Sequence, residues 1–284
     1  MRLTFSIFYL ITLVAGCQPS SVPPPSYLTS ESPLRRPSSF DMSKAVDFRG
    51  RVIWVGPKPV AAPIQGLLRV GETIENREFE NPNVLRLSGD SDRVFGAVVF
   101  LEDVDPQNSC PWFHAPLQVR VDDTHIRTYQ GRYLEHTRIG IVRERTTVEF
   151  VATDHGSHVV SLRGADFFGM SLPEVGVPRR HRFDERGLVE LSSGANRPWH
   201  RAYLWVTPHP YFALTNDQGE FELKMVPCGE YRIRAWHPNS EILSYDRDPN
   251  TGQITRIHFG PAFSSSRPIQ VRPEMDPVVL TLSK

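Results

Sequence analysis

The sequence predicts an all-β protein of two sandwiches, and three observations carry that reading. No stretch sustains a 3.6-residue apolar period over helical length. Short β-branched and aromatic runs recur, broken by Gly, Pro, Asn and Asp. Of the 284 residues, about 240 remain for a folded body, room for two ordinary β domains.

The chain opens with Met1-Arg2, a mostly apolar run from Leu3 to Ala15, and Gly16-Cys17. One positive charge, a short hydrophobic core and small residues make the layout of a secretory signal. That run is short for a membrane span. Val14-Ala15-Gly16-Cys17 resembles the bacterial lipobox, in which signal peptidase II cleaves before the cysteine. The resemblance implies a signal peptide over 1–16, lipidation at Cys17 and a chain exported and held to the bacterial cell envelope by its acyl chains. Gln18 rather than Asp follows, which implies the outer membrane in a Gram-negative cell. Residues 17–44 are rich in Pro and Ser, as at Pro23-Pro24-Pro25 and Pro37-Ser38-Ser39, and read as a lipidated, disordered tether.

In the body, candidate strands cover 51–55, 97–101, 117–121, 125–129, 139–142, 147–151, 158–162, 188–191, 202–206, 212–215, 221–225, 231–236, 255–259 and 278–282. Leu117, Val119 and Val121 alternate with Gln118 and Arg120, so that strand has one wet face. Asn216-Asp217-Gln218-Gly219 between two strands signals a hairpin, and Pro227-Cys228-Gly229 a second tight turn. Charge is balanced, with 32 basic and 32 acidic residues, so no field points to nucleic acid. Beyond Cys17 only Cys110 and Cys228 remain, a candidate disulfide in an oxidising compartment.

The run from Phe212 through Gly219 to Phe221, followed by Pro227-Cys228-Gly229-Glu230-Tyr231, resembles the carboxypeptidase regulatory-like domain. The resemblance implies a seven-strand, transthyretin-like sandwich over 201–284, with Phe221 and Tyr231 facing one core and no catalysis. Upstream, Val148 to Asp154 and His158 are similar to a cupredoxin, as are Arg186 to Leu191 and Pro198-Trp199. This implies a cupredoxin-like sandwich over 45–200. An alternative organisation inserts the cupredoxin-like part within the other domain, because Gly50 to Trp54 and Gly96 to Leu101 look like opening strands of a regulatory-like domain.

A blue-copper site needs two imidazoles and a thiolate, with a weak axial thioether. The family places Cys, His and Met in the second half of its pattern. Here the loop reads Ser192-Ser193-Gly194-Ala195-Asn196-Arg197-Pro198-Trp199-His200. Gly194 stands at the thiolate position, Arg197 at the histidine and His200 at the methionine. Ala152 replaces an expected Asn, and His158 alone survives in kind. The expectation is a degenerate site without blue copper and without a cofactor. A remodelled metal site on His158 and His200, joined by His155 or His181, is the alternative. His114, His209 and His237 read as turn or rim residues.

No nucleophile elbow, zinc-protease helix or phosphate-cradling glycine loop occurs. The pairs Asp122-Asp123, Asp103 with Asp105, and Asp246 with Asp248 read as turn formers rather than glycosidic acid–base groups or a calcium loop. Trp112, Trp199, Trp205, Trp236 and Tyr211 read as core more than as a sugar-stacking platform. The chain is thus expected to be a non-catalytic envelope lipoprotein, a binding or structural scaffold. Its expected partners are the membrane, through the anchor, and an envelope protein or glycan. An unusual metal-binding or electron-transfer protein ranks second, and a carbohydrate-binding or carbohydrate-active protein third.

Overall fold

The computed structural model describes residues 39–89, 91–131 and 137–284. The expected signal peptide, Cys17 and most of the expected tether lie outside the described residues. The ordered body begins before the predicted tether ends. Ser39 N–H donates to the Gln107 carbonyl at 3.1 Å, and Asp41 caps a 3₁₀ turn over Met42–Lys44. Among the described residues, no helix is long and apolar enough to cross a membrane.

The chain is all-β. It opens with β1 (Ala45–Val55), the hairpin of β2 (Ile64–Val70) and β3 (Thr73–Phe79), short β4 (Arg86–Leu87) and β5 (Val94–Phe95), and β6 (Val98–Glu102). Next come β7 (Leu117–Val121), β8 (Ile126–Gln130), β9 (Ile139–Arg143), β10 (Thr146–Ala152) and β11 (His158–Gly164). Then follow β12 (Phe168–Leu172), β13 (Arg179–Phe183), β14 (Gly187–Ser193) and β15 (Arg201–Thr207). The last run holds β16 (Phe212–Leu214), β17 (Glu220–Pro227), β18 (Gly229–His237), β19 (Ile242–Arg247), β20 (Ile254–Phe259), β21 (Phe263–Val271) and β22 (Val278–Ser283).

Strand pairing does not follow a boundary at residue 200. β1 lies between β17 and, in parallel, β22; β6 lies between β16 and β18, with β21 at the edge. Segment 45–101 therefore contributes to the C-terminal sandwich rather than to the central one. The central sandwich leaves the chain after β6 and returns before β16, whose Phe212 pairs with Phe100 of β6. Its sheets run β13-β10-β7-β8 and β12-β11-β14-β15-β9. Arg201–Thr207 belongs to this inserted body, because β15 pairs with β14 and β9. The physical reason is register: β1 finds apolar partners on β17 and β22, at the other end of the chain.

The inserted core follows the predicted alternation. Leu117, Val119 and Val121 are buried while Arg120 is exposed, and they meet Phe150, Leu162, Leu191 and Leu204. Side chains close the gap between β8 and β9 that the backbone leaves open. Gln130 donates to the Ile141 carbonyl at 2.7 Å and accepts from Ile141 N–H at 3.1 Å, mimicking a strand neighbour. The outer core joins Phe48, Trp54, Leu101, Phe221, Ile233 and Leu280, with Tyr231 packed at its edge. Gly219 (φ +68°) turns the predicted hairpin, and the Asn216 carboxamide accepts from Gln218 and Glu220 N–H. The left-handed φ is one that glycine adopts without a steric penalty.

The candidate disulfide is absent. Cys110 and Cys228 are both free. Cys110 is buried in the outer core, its N–H donating to Tyr211 Oη at 2.8 Å, and burial pushes its thiol pKa up. Cys228 is exposed in the β17–β18 turn, tied by its N–H to the Lys44 carbonyl at 2.9 Å.

A third apolar cluster welds the two sandwiches. Val98, Phe100, Phe212 and Trp236 of the outer body meet Ile139, Ile141 and Tyr203 of the inserted one. The hairpins β2–β3 and β19–β20 form a fourth with Trp199, Ile64 and Ile257.

Candidate functional site

Three loops of the inserted sandwich meet around Asp123. They are the β7–β8 turn, the β10–β11 connection and the segment between β14 and β15. Asp154 folds the second loop by accepting from Gly156 N–H at 3.1 Å, and joins it to the first by accepting from Asp123 N–H at 2.7 Å. It also bonds His158 Nε2. Burial opposes the ionised Asp154, but His158 and these amides outweigh it and hold the carboxyl below its usual range. Gly156 is required by closeness: a Cβ there would lie 2.4 Å from Asp123 Oδ1 and 2.8 Å from His158 Nε2.

His158 opens β11 with its side chain buried, and its Nδ1 has no hydrogen-bond partner. His200 is equally buried. Its ring bonds the Asp123 carbonyl, and its Nε2 is also without a partner. Burial, then the Arg197 guanidinium, push its pKa down to about 3, so the imidazole is neutral near pH 7. The fold thus brings His158 and His200 to the same loop cluster. His155 is exposed, and His181 on β13 is committed to Asp166 Oδ2 at 2.6 Å.

Asp123, Asp154 and His158 place one ligand atom each within 4.8 Å of one another. Asp154 bonds His158 through Nε2, and Arg197 pairs with Asp123 while donating to the Ser157 carbonyl at 2.8 Å. The cluster is a hydrogen-bonded network, with an ion pair between Arg197 and Asp123, that staples the loops. Asp123 and Gly156 were not legible as members of it. The Asp-x-Gly spacing of 154–156 was the one available signal.

At Gly194 the N–H donates to the Val159 carbonyl at 2.8 Å, and a Cβ there would lie 2.8 Å from Val159 Cγ1 and 3.0 Å from Ser161 Oγ. Val159 fills the space that a side chain at this position would enter. Neither described thiol belongs to these loops: Cys110 sits in the outer core and Cys228 in the β17–β18 turn. Among the described residues, these three loops carry no cysteine. Ala152 is buried and offers nothing.

The other candidates resolve into structural roles. Asp122 accepts from Thr124 and His125 N–H, Asp105 caps the 3₁₀ turn Pro106–Asn108, and Asp248 accepts from Asn250 and Thr251 N–H. His114 bonds the Pro210 carbonyl at 2.6 Å. His209 and His237 are buried rather than at a rim, because the apolar contacts between the sandwiches surround that end of β15 and β18. None of the five tryptophans is exposed; Trp199 stacks on Phe79 with ring centroids 3.8 Å apart.

No family model and no curated protein matches this chain. Among solved structures, a purple cupredoxin from Nitrosopumilus maritimus is 18% identical, over 32% of this chain and 98% of that one, with a TM-score of 0.25. The reduced Cu(I) form of an amicyanin point mutant is 14% identical, over 38% and 98%, with a TM-score of 0.26. A heme-copper terminal oxidase dimer is 12% identical, over 37% and 76%, with a TM-score of 0.25. The first two neighbours are weak, partial cupredoxin likenesses.

Proposed function

We propose that this chain is a non-catalytic binding or structural scaffold, held to a bacterial envelope through lipid at Cys17, and that it has no copper site of the cupredoxin kind. The observation that carries the reading is Gly194. The residue at the thiolate position has no side chain, and Val159 occupies the space beside it. Arg197 adds a cation to the same loops, bound to Asp123. A second reading, a remodelled metal centre, is favoured by one observation: His158 Nδ1 and His200 Nε2 are both buried without partners.

Titrating the full chain with copper(II) and zinc separates the two readings. The expected result is no stoichiometric tight binding by calorimetry and no thiolate-to-copper absorption band. Tight binding abolished by His158→Ala would replace the scaffold with a metal protein. The anchor has its own test. Cys17→Ser is expected to move the protein from the membrane fraction of an expressing bacterium to the soluble one. A parent protein already soluble, or a variant still in the membrane, would refute lipid anchoring.

A further inference from the structure

The outer face of the five-stranded sheet carries polar rows. Cross-strand register sets Ser161 beside Ser192 and Ser192 beside Arg201; the next row sets Arg163 beside Glu190. The β19–β20 hairpin lies beside these rows and borders a half-open pocket of about 440 Å³, with Arg256 in its wall and the loop at Gly194 at one end. That volume is in the range of small-ligand sites, roughly 300–1,000 Å³.

Two buried guanidinium nitrogens of residues lining this pocket have no partner: Arg201 Nε and Arg256 Nε. Arg201 is only 2% exposed, and its other nitrogens reach Glu190 and the Ile257 carbonyl. Glu190 is divided between Arg201 and Arg256. Arg163 has no acidic partner among the described residues, and the lining carboxylate Asp246 is engaged by His258 at 2.9 Å. A buried donor left unmade costs about 1–3 kcal/mol. A fold that gathers such atoms around one cationic, hydroxyl-lined pocket is organised for an oxyanion. Guanidinium groups stand on the sheet and on the hairpin, so donors approach from more than one side. This suits a tetrahedral group better than a planar carboxylate, and the volume leaves room for a substituent.

We infer that this pocket binds a small phosphate monoester through Arg163, Arg201 and Arg256. The inference deepens the scaffold reading and rests on it, since it takes the loop at Gly194 to hold no metal. The test is calorimetric titration of the full chain with inorganic phosphate and with glycerol 3-phosphate, using sulfate and glycerol as controls. Both phosphates are expected to bind, the ester more tightly. Arg163→Gln, a partly exposed position, is expected to weaken binding at least about tenfold with an unchanged circular-dichroism spectrum. Arg145→Gln, outside the pocket, is expected to leave it intact. No binding of either phosphate, binding indifferent to Arg163→Gln, or a preference for sulfate overturns the inference. Copper titrated into the same preparation separates the two failures. Copper held with a thiolate band refutes the metal-free scaffold, whereas silence towards both copper and phosphate removes only the phosphate site.

Discussion

Acidification from pH 6.5 to pH 4 is expected to remove most of the stability of this fold. Three buried histidines set that window. Burial pushes the His237 imidazole from 6.5 down to about 4, against a weaker opposing bond to the Pro238 carbonyl. Burial and then Arg186 push His209 to about 4, and burial and then Arg197 push His200 to about 3. All three are neutral in the folded chain where the unfolded chain takes up protons. The unfolded state therefore binds more protons below pH 6.5, and stability falls with pH until the folded-state pKa is reached. Each group contributes a slope of up to about 1.4 kcal/mol per pH unit. At pH 4 the combined loss is comparable with a typical domain stability of about 5–15 kcal/mol. Asp154 and Glu102 act in the same direction at lower pH. Burial raises both carboxyls, but His158 and amides for the first, and Arg234 and Ser266 for the second, lower them overall. Urea unfolding between pH 7.5 and 4 measures the slope. A midpoint that stays constant across this range would show that these histidines are not held neutral by the fold.

Gly50→Ala is expected to cost about 3 kcal/mol, the upper end of ordinary overpacking. Gly50 sits in β1 with Phe221 on one side and Val278 on the other. A Cβ there would lie 2.2 Å from the Val278 carbonyl oxygen and 2.5 Å from Phe221 Cζ. The first obstacle is backbone and cannot rotate away, so the parallel ladder between β1 and β22 has to open. Gly169→Ala on β12 is the control, because nothing lies within 4 Å of its added Cβ. It is expected to change stability by less than about 0.5 kcal/mol. Equal urea midpoints for the two variants would contradict the central position of β1.

The strands that could be read from the residues are those with a buried face. Val119 and Phe150 announce themselves by alternation, and both are fully buried. The strands that escaped are at edges or on hairpins. Arg179–Phe183 is nearly all charge, and Phe263–Val271 contains Pro268; both close the side of a sheet, where solvent tolerates such residues. Ile242–Arg247 is mostly exposed, so no apolar period marks it. The resemblance to the cupredoxin pattern brought out His158, Arg197 and His200. It could not show that Asp123 receives Arg197, 74 residues away, because only the closed sandwich brings those loops together. The polar pocket was equally hidden, since one wall comes from the inserted sandwich and the other from the β19–β20 hairpin.

The parallel pairing of β1 with β22 also governs when the molecule can be finished. A ribosome delivers the chain from its N-terminus, so Phe48, Val52 and Trp54 emerge before their neighbours Leu280 and Leu282, with the inserted sandwich made in between. The inserted sandwich is contiguous in sequence and can form meanwhile. Once folded, it returns the chain at β16, directly beside β6, replacing a long open loop by a rigid clasp. Until β22 has been made, β1 is an apolar strand awaiting its parallel partner, and the arrival of β22 closes that sheet.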